Sequence, residues 1–308
     1  MMRRIHGAPS APQVARPSSP SERGAQVLPP VIPRTAHFVF GFGGAGAGEP
    51  FHLVHYLAIA SCLEVVQPDT VHVHCHGLPY GHYWDLIRPR VDLHRVDPVA
   101  LVRDFPYDDR VVRRYAYAHH SDFVRLDVLA ERGGLYADID TVFVAPPPAE
   151  CWEAEAVIGS EGVMDDPVTG VPSESYSNAL LMAVPGAAYI DAWRARIGNA
   201  FDGTWSAHSC MLARDLVLEL PQSVHVEPQR TFHPFSATPD GFRRLLEARE
   251  PDLDGVSSIH LAAHLWWEER RRDFTDVHSG MIDEAWVRSA DTTYAVAARR
   301  FLPDHRSV

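Results

Sequence analysis

The segment SDFVRLDVLAERGGLYADIDTVF, residues 121–143, joins a helical pattern, a glycine pair and two closely spaced aspartates. Apolar residues recur at helical spacing up to Arg132, which predicts a helix with Ser121 as its N-cap. Gly133 then supplies the left-handed backbone that commonly ends a helix. The apolar and β-branched residues that follow predict a strand over 135–145, ended by three prolines. A helix, a tight turn and a buried strand in this order indicate an α/β unit.

The two aspartates of this segment, Asp138 and Asp140, flank Ile139. Residues two apart in a strand project from the same face, so the two carboxylates are predicted to lie side by side. Like charges at this spacing repel each other unless water or a divalent cation lies between them. Because a diphosphate can supply further oxygen ligands, the pair predicts a diphosphate site with Mg²⁺ or Mn²⁺. Two exposed aspartates at a turn would show the same pattern.

Strand and helix patterns alternate on both sides of the segment. The sequence predicts strands over 35–40, 70–76, 156–161 and 177–185, and helices over 52–66, 187–198 and 211–220. This alternation predicts an α/β fold with a mainly parallel central sheet and flanking helices.

Composition sets the outline of the molecule. Residues 1–32 are rich in proline, alanine, serine and arginine without periodicity, which predicts a disordered leader. Residues 33–308 are predicted to form a single domain. The chain has 308 residues and a net charge of −12 with its histidines neutral, which argues against binding to nucleic acid or to anionic membranes.

Cysteine usage and hydropathy suggest a cellular compartment. The four cysteines, Cys62, Cys75, Cys151 and Cys210, form no CxxC pair, so the sequence predicts no zinc cluster. The first 30 residues lack the apolar core of a secretion signal, and no run of 18 apolar residues predicts a membrane span. We therefore predict a cytoplasmic protein with free thiols. The alternating His72, His74 and His76 are interpreted as the polar faces of an edge strand.

The segment 121–143 resembles the signature of DXD-type sugar-nucleotide glycosyltransferases. The shared pattern is Ser-Asp, an arginine three residues on, Gly-Gly, and Tyr-x-Asp-x-Asp. It is similar in particular to glycosyltransferase family thirty-two and to the sugar-binding regions of clostridial toxin glucosyltransferases and α-1,4-galactosyltransferases. The later blocks SNALLMAVPGAAYIDAW (177–193), WSAHSCML (205–212) and IHLAAHLWW (259–267) resemble the family in the same order.

The resemblance implies a GT-A-like fold and a metal-dependent hexosyltransferase. A hexose would pass from a nucleotide-diphosphate sugar, with UDP favoured over GDP, to an acceptor hydroxyl of a glycan, small molecule or protein. Retention of the anomeric configuration is implied as well. No membrane insertion and no nucleic-acid partner are expected.

Individual roles follow from the resemblance residue by residue. Catalytic roles are implied for Asp138, Asp140, Asp122 and Arg125. Asp140 and Asp138 would coordinate Mn²⁺ or Mg²⁺. Asp122 and Arg125, one helical turn apart, would hold hydroxyls of the donor sugar. Further donor contacts are implied for Ser121, Gly134, Tyr136 and Asn178.

The C-terminal block would supply a side chain that closes over the diphosphate. His260 is predicted as a third metal ligand, with His264 as the alternative histidine. Trp266 is predicted to contact the donor. If His260 and His264 lay on one helix they would share a face.

Three aromatic side chains complete the predicted site. Phe40 stands where many relatives carry a tryptophan that stacks on the base, so base stacking is predicted to be weaker or to use another ring. His208 is predicted as a donor contact. His208 and Trp205 are also candidates for the acceptor site.

Three other functions share parts of the pattern. Gly41-x-Gly43-x-x-Gly46 matches a dinucleotide fingerprint, but the second strand does not end in the acidic residue that this fold needs. The sequence DIDTV, 138–142, also resembles the haloacid-dehalogenase phosphatase motif, which normally opens its domain and relies on a lysine, and this chain has none. A non-catalytic module that binds a nucleotide sugar or glycan would keep the same residues.

Overall fold

The computed structural model describes residues 31–43, 48–107, 115–165 and 170–303. Residues 1–30, most of the predicted leader, lie outside the described residues. Ile32 is buried, and its amide donates a hydrogen bond to the carbonyl of Trp152. The buried apolar side chains form one core cluster that runs from Ile32 to Leu302. A single domain over 33–308 stays a prediction.

Strands and helices alternate along the described chain. The strands are β1 (Thr35–Phe40), β2 (Glu49–Pro50), β3 (Thr70–Cys75), β4 (Pro79–Tyr80), β5 (Asp92–Arg95), β6 (Gly134–Ala137), β7 (Thr141–Phe143), β8 (Ala156–Asp165), β9 (Pro172–Ala183), β10 (His225–Glu227) and β11 (Ser258–His260). The helices are α1 (Leu53–Ser61), α2 (His82–Ile87), α3 (Ala100–Arg103), α4 (Ala116–Arg132), α5 (Ala149–Glu153), α6 (Ala188–Ala200), α7 (Leu212–Glu219), α8 (Gln229–Phe232), α9 (Pro239–Leu246), α10 (Glu284–Ser289) and α11 (Thr293–Ala298). Within these ranges no helix has both the length and the apolar character needed to cross a membrane.

A seven-stranded sheet forms the centre of the fold, in the order β10-β8-β9-β6-β1-β3-β5. β6, β1, β3 and β5 run parallel, as do β8 and β10, whereas β9 runs antiparallel to both of its neighbours. β1 is buried along almost its whole length, as expected for a central strand in a sheet covered on both faces. The predicted fold class, a mainly parallel sheet with flanking helices, is confirmed.

The helix that precedes the aspartates begins earlier than predicted. α4 starts after Tyr115, so Ser121 lies inside the helix, and its hydroxyl donates to the carbonyl of Tyr117 one turn back. The N-cap prediction is wrong because residues 116–120 contain no glycine or proline, and burial of side chains such as His119 extends the helix. The predicted end is confirmed, since Gly133 has a φ of 64°.

The predicted strand over 135–145 is broken at the aspartates. β6 ends at Ala137 and β7 begins at Thr141, and the amide of Thr141 donates to the carbonyl of Asp138 across a tight turn. β6 pairs with β1 and β9 in the central sheet, whereas β7 pairs with β11 in a separate two-stranded sheet. The strand prediction is wrong over 138–140 because the chain changes pairing partners there. The aspartates therefore lie in a turn at the carboxyl end of a central strand, where α/β sheets commonly bind ligands.

Gly134, predicted as a donor contact, is a packing position. Its φ is 103°, and a Cβ atom there would lie 2.5 Å from the carbonyl oxygen of Thr35. Because glycine has no side chain, β6 can approach β1 closely here. Gly134 does not line the cavity that opens beside the two aspartates. The predicted contact is wrong because the conformation of Gly134 serves strand pairing.

Histidines line one face of β1, β3 and β5. His37 Nδ1 lies 3.2 Å from His74 Nε2, and His72 Nδ1 lies 2.7 Å from His94 Nε2. The nitrogen Nε2 of His37 donates to the carbonyl of Gly133 at the end of α4. The edge-strand interpretation of the β3 histidines is wrong, since β3 lies between β1 and β5.

This cluster should make the protein less stable in acid. Burial lowers the pKa of His37 to about 4 and that of His74 to about 3, from 6.5. Below pH 6.5 these histidines bind protons in the unfolded chain but not in the folded chain. The free energy of unfolding therefore falls as the pH drops toward the lowered pKa values. We expect the free energy of unfolding to fall by about 2 kcal/mol per buried histidine between pH 7 and pH 5.

Urea unfolding of wild type and His37→Gln at pH 7 and pH 5 measures this effect. Glutamine can still donate to Gly133 but does not titrate, so the pH dependence should be weaker in the variant. His82→Gln, at an exposed histidine, is the matched control and should behave as wild type does. An identical pH dependence in wild type and His37→Gln would contradict the prediction.

Candidate functional site

A cavity of about 1160 Å³ opens at the turn between β6 and β7. Its walls come from the end of β1, the middle of α4, the strand β9 and the segment 260–271. The volume is at the upper end of the range of small-molecule sites, so the cavity has room for a ligand with several rings.

Asp138 lies at the inner end of the cavity. One carboxylate oxygen, Oδ1, accepts a hydrogen bond of 2.6 Å from the hydroxyl of Tyr136 and lies 3.3 Å from Arg125 Nη2. The other oxygen lies 3.6 Å from His260 Nε2. Tyr136 is buried and lines the cavity beside Asp138, as predicted. Burial raises the pKa of Asp138.

Asp140 is held by the C-terminal block. Its Oδ1 lies 3.3 Å from His260 Nε2, and its Oδ2 accepts a hydrogen bond of 2.8 Å from the amide of Ala263. Burial alone would raise the pKa of Asp140, but the charge and hydrogen bond of His260 lower it to about 2. Burial would likewise lower the pKa of His260, yet Asp140 raises it to about 9. His260 thus lies between two carboxylates that favour its proton, and it would release that proton on binding a metal ion.

Strand pairing brings His260 to the aspartates. β11 pairs antiparallel with β7, and His260 lies opposite Thr141. The backbone then turns at Ala262, whose φ of 40° is unusual for a residue with a side chain and is typical of strained functional segments. His264 follows in a short 3-10 turn and lies against Trp205, at 4.5 Å between ring centroids. The two histidines are not on one helix, so they have different surroundings.

Asp138, Asp140 and His260 have the donor atoms of a metal site. One ligand atom from each lies within 4.8 Å of the other two. Two carboxylate oxygens and one imidazole nitrogen suit Mg²⁺ or Mn²⁺, and the open cavity leaves room for ligand oxygens. The residues present therefore fit the metal that the resemblance implies.

A buried polar cluster stands beside the aspartates. Arg125 Nη2 lies 3.1 Å from Asp122 Oδ1, which confirms the predicted spacing on one helix face. The side-chain amide of Asn178 donates a 2.7 Å hydrogen bond to the same oxygen. The backbone carbonyl of Asn178 accepts a hydrogen bond from Arg125 Nη1. Asp122, Arg125, Asn178 and Ser121 all line the cavity. Burial alone would raise the pKa of Asp122, but Arg125 and the hydrogen bond from His208 lower it.

His208, predicted as a donor contact, lies behind the cavity wall. Its side chain is fully buried, and its Nε2 lies 2.9 Å from Asp122 Oδ2. The ring packs against His119 and Phe201, with centroids 4.9 Å away in each case. The predicted contact is wrong because the ring turns inward to position Asp122. Trp205, three residues earlier, does line the cavity.

Of two adjacent tryptophans, Trp267 and not the predicted Trp266 lines the cavity. Trp266 is fully buried, and its Nε1 donates to the carbonyl of Leu261 at 2.7 Å, so its predicted donor contact is wrong. Trp267 lines the cavity instead, with its ring stacked on His55 at 5.6 Å. Phe40 also lines the cavity and packs edge-on against His55. The wall therefore offers several rings near the position where the resemblance implies one.

Sequence reasoning missed His55, Tyr117 and Trp267 among the cavity residues. His55 lies in α1, whose apolar pattern indicates only a core helix. Tyr117 lies in the first turn of α4, before the predicted start of that helix. Residues 116–120 contain no glycine or proline, and this signal could have placed Tyr117 on the same helix, one turn before Ser121.

Residues 97–159, which include α4 and both aspartates, match the family described as "Glycosyltransferase sugar-binding region containing DXD motif". The matched segment contains the two carboxylates at the carboxyl end of the central strand and also Asp122 and Arg125. This segment is therefore similar to the sugar-binding regions of DXD-type glycosyltransferases.

A curated relative extends the similarity. Glucan organizing enzyme 1 from Cryptococcus neoformans var. grubii serotype A is 27% identical over 258 residues, which are 82% of this chain and 66% of that protein. The chain thus spans just under two thirds of the length of this relative.

Solved glycosyltransferase structures are also similar. PaToxG glycosyltransferase is 16% identical, with 63% of this chain and 72% of that chain covered and a TM-score of 0.42. The galactosyltransferase LgtC in complex with donor and acceptor sugar analogues is 15% identical, with 82% and 98% covered and a TM-score of 0.40.

Proposed function

We propose that this chain transfers a hexose from a nucleotide-diphosphate sugar to an acceptor hydroxyl, with a bound divalent metal. The observation that carries the proposal is the group of Asp138, Asp140 and His260 at one cavity wall, in direct contact with the buried pair of Asp122 and Arg125. The first three would hold Mn²⁺ or Mg²⁺, and the last two would hold the sugar. Affinity for the diphosphate and selection of the sugar would thus be coupled through one ion pair.

The residues have separate tasks in the proposed reaction. When bound, the metal supplies positive charge that stabilises the departing nucleotide diphosphate. Arg125 and Tyr136 hold the carboxylate of Asp138 in place. The amide of Ala263 holds that of Asp140. This preorganisation means that the charged groups need not rearrange when the sugar–phosphate bond breaks.

The donor, the acceptor and the stereochemistry of transfer are proposed from the resemblance together with the rings that line the cavity. We propose a UDP-sugar as the donor, with its base against the rings of Phe40, His55 and Trp267, and retention of the anomeric configuration. The acceptor would be a glycan, a small molecule or a protein and would enter past Trp205 and His264. A cytoplasmic location stays a prediction, which the free Cys62, Cys75, Cys151 and Cys210 support.

The phosphatase alternative is weaker in this geometry. Its nucleophile would be Asp138, whose Oδ1 is already held by Tyr136 and Arg125. The chain also has no lysine. The non-catalytic binding module keeps every contact and differs only in turnover, so an assay of turnover has to accompany binding.

A thermal-shift panel tests the proposal. UDP, GDP and their hexose conjugates would be added with and without Mn²⁺ to wild type and Asp140→Ala. A ligand at 100 times its dissociation constant adds about 2.7 kcal/mol of stability. We expect a shift with one nucleotide, only with metal and only in wild type, together with release of nucleotide from its sugar conjugate. No shift with any nucleotide would overturn the proposal, and a shift without turnover would favour the binding module.

Asp122→Asn should weaken sugar binding more than nucleotide binding. The variant removes the charge that faces the donor sugar while preserving the side-chain volume. Loss of one charge-assisted hydrogen bond should weaken affinity for the sugar nucleotide by roughly 10- to 100-fold and leave affinity for the free nucleotide within about threefold. Titration calorimetry with Mn²⁺ measures both. Asp127→Asn, an exposed aspartate on the same helix, is the control, and equal losses for both ligands would contradict the prediction.

A further inference from the structure

A second group of metal-ligating side chains lies outside the cavity, at an edge of the central sheet. Cys151 belongs to α5, and His225 and Glu227 belong to the edge strand β10. Cys151 Sγ donates to Glu227 Oε1 at 3.2 Å, and His225 Nε2 lies 2.7 Å from the same oxygen. One ligand atom from each residue lies within 4.8 Å of the other two, and none of the three residues lines the cavity.

We propose that Cys151, His225 and Glu227 form a zinc site that joins α5 to β10. This inference is independent of the proposed transferase reaction. A thiolate, an imidazole and a carboxylate are the three ligand types that Zn²⁺ uses in proteins. The set differs from that of Asp138, Asp140 and His260, because Mg²⁺ and Mn²⁺ prefer oxygen ligands and a thiolate selects softer ions.

The spacing requires little movement. Zinc bond lengths of about 2.0–2.3 Å at tetrahedral angles place neighbouring ligand atoms about 3.3–3.5 Å apart. The two contacts of Glu227 would therefore open by less than about 1 Å from the 3.2 and 2.7 Å seen here. Movements of this size are within the reach of side-chain rotation.

Burial and charge also favour a cation at this place. Glu227 is only 4% exposed and Cys151 is fully buried, whereas the side chain of His225 is 38% exposed. Among the described residues the ion pair of Glu227 is with His225, and no arginine shares it. The carboxylate of Glu227 now accepts hydrogen bonds from His225, Cys151 and Thr231, and zinc would take the place of the first two contacts. The exposed side of His225 gives the ion a path and leaves space for water as the fourth ligand.

Zinc would replace the proton of the thiol. Binding breaks the S–H bond and forms a zinc–sulfur bond, and the proton passes to solvent. The sulfur of Cys151 donates to the carboxylate of Glu227, and His225 contacts that same oxygen, so the cysteine is paired with an acid and not directly with a histidine base. A metal is the partner that these three groups share.

Cobalt substitution tests the site. The Asp140→Ala protein, which lacks the aspartate of the other cluster, would be freed of metal and titrated with Co²⁺. Thiolate ligation gives a charge-transfer absorption in the near ultraviolet, which a site of oxygen and nitrogen ligands lacks. We expect one equivalent of Co²⁺ to give this band and zinc to displace it. Adding Cys151→Ser should abolish the band, and adding Cys75→Ser should leave it unchanged.

A second variant keeps the test decisive if Cys151→Ser fails to fold. His225→Ala, at a partly exposed ligand, should weaken Co²⁺ binding at least tenfold while circular dichroism stays native. The proposal is overturned if the folded Asp140→Ala protein gives no band, if the band persists in Cys151→Ser, or if His225→Ala binds Co²⁺ as tightly as its parent.

Discussion

Replacing Asp140 with alanine should lower the turnover number about a thousandfold, which corresponds to about 4 kcal/mol in the reaction barrier. The pKa of Asp140 is lowered and that of Asp138 is raised, so under the proposed function Asp140 would be the more dependable metal ligand. It also fixes His260 and the amide of Ala263, which places the C-terminal block over the cavity. Release of nucleotide from the preferred donor, at saturating Mn²⁺, measures the turnover number.

Two variants separate the role of the charge from structural damage. Asp140→Asn retains the volume and an oxygen that can accept from Ala263, so it should fold as wild type does and still lose most activity. Asp165→Ala removes an exposed aspartate from the rim of the same cavity and should keep turnover within about threefold. Turnover of Asp140→Ala or Asp140→Asn near that of Asp165→Ala would remove the metal role from Asp140.

The sequence predicted those parts of the site that are local in the chain. Asp122 and Arg125 are one helical turn apart, so their contact follows from helix geometry. Asp138 and Asp140 converge as well, although on a turn rather than on a strand. Strand periodicity could not show the break, because the break arises where β6 and β7 pair with different strands. The residues of the segment do not indicate which strands those are.

Orientations that depend on distant packing were harder to predict. Trp266 and Trp267 are adjacent and chemically identical, and the one that is buried donates a hydrogen bond to the carbonyl of Leu261, a contact that the sequence does not reveal. His208 faces Asp122 from behind because its ring fills space beside His119. The ligand set of Cys151, His225 and Glu227 lacks any local spacing motif, which is why cysteine spacing gave no sign of it.

Replacing Arg125 with methionine should cost about 3–5 kcal/mol of the free energy of unfolding, because it leaves buried carboxylates without their cation. Arg125 is 3% exposed, and its Nη2 lies 3.1 Å from Asp122 and 3.3 Å from Asp138. The guanidinium also lies over the ring of Tyr136 at 4.6 Å. Methionine fills much of the volume but supplies neither charge nor donors. Urea unfolding at pH 7 gives the change from the midpoint and slope.

An exposed ion pair between α6 and α4 provides the control. Arg194 lies 2.5 Å from Asp127, and both side chains are about half exposed, so Arg194→Met should cost less than about 1 kcal/mol. Adding Asp122→Asn to Arg125→Met should recover part of the loss, since one stranded charge is then removed. If Arg125→Met is no more costly than Arg194→Met, the buried pair does not hold the site together. In that case Tyr136 and the backbone of the turn would position Asp138.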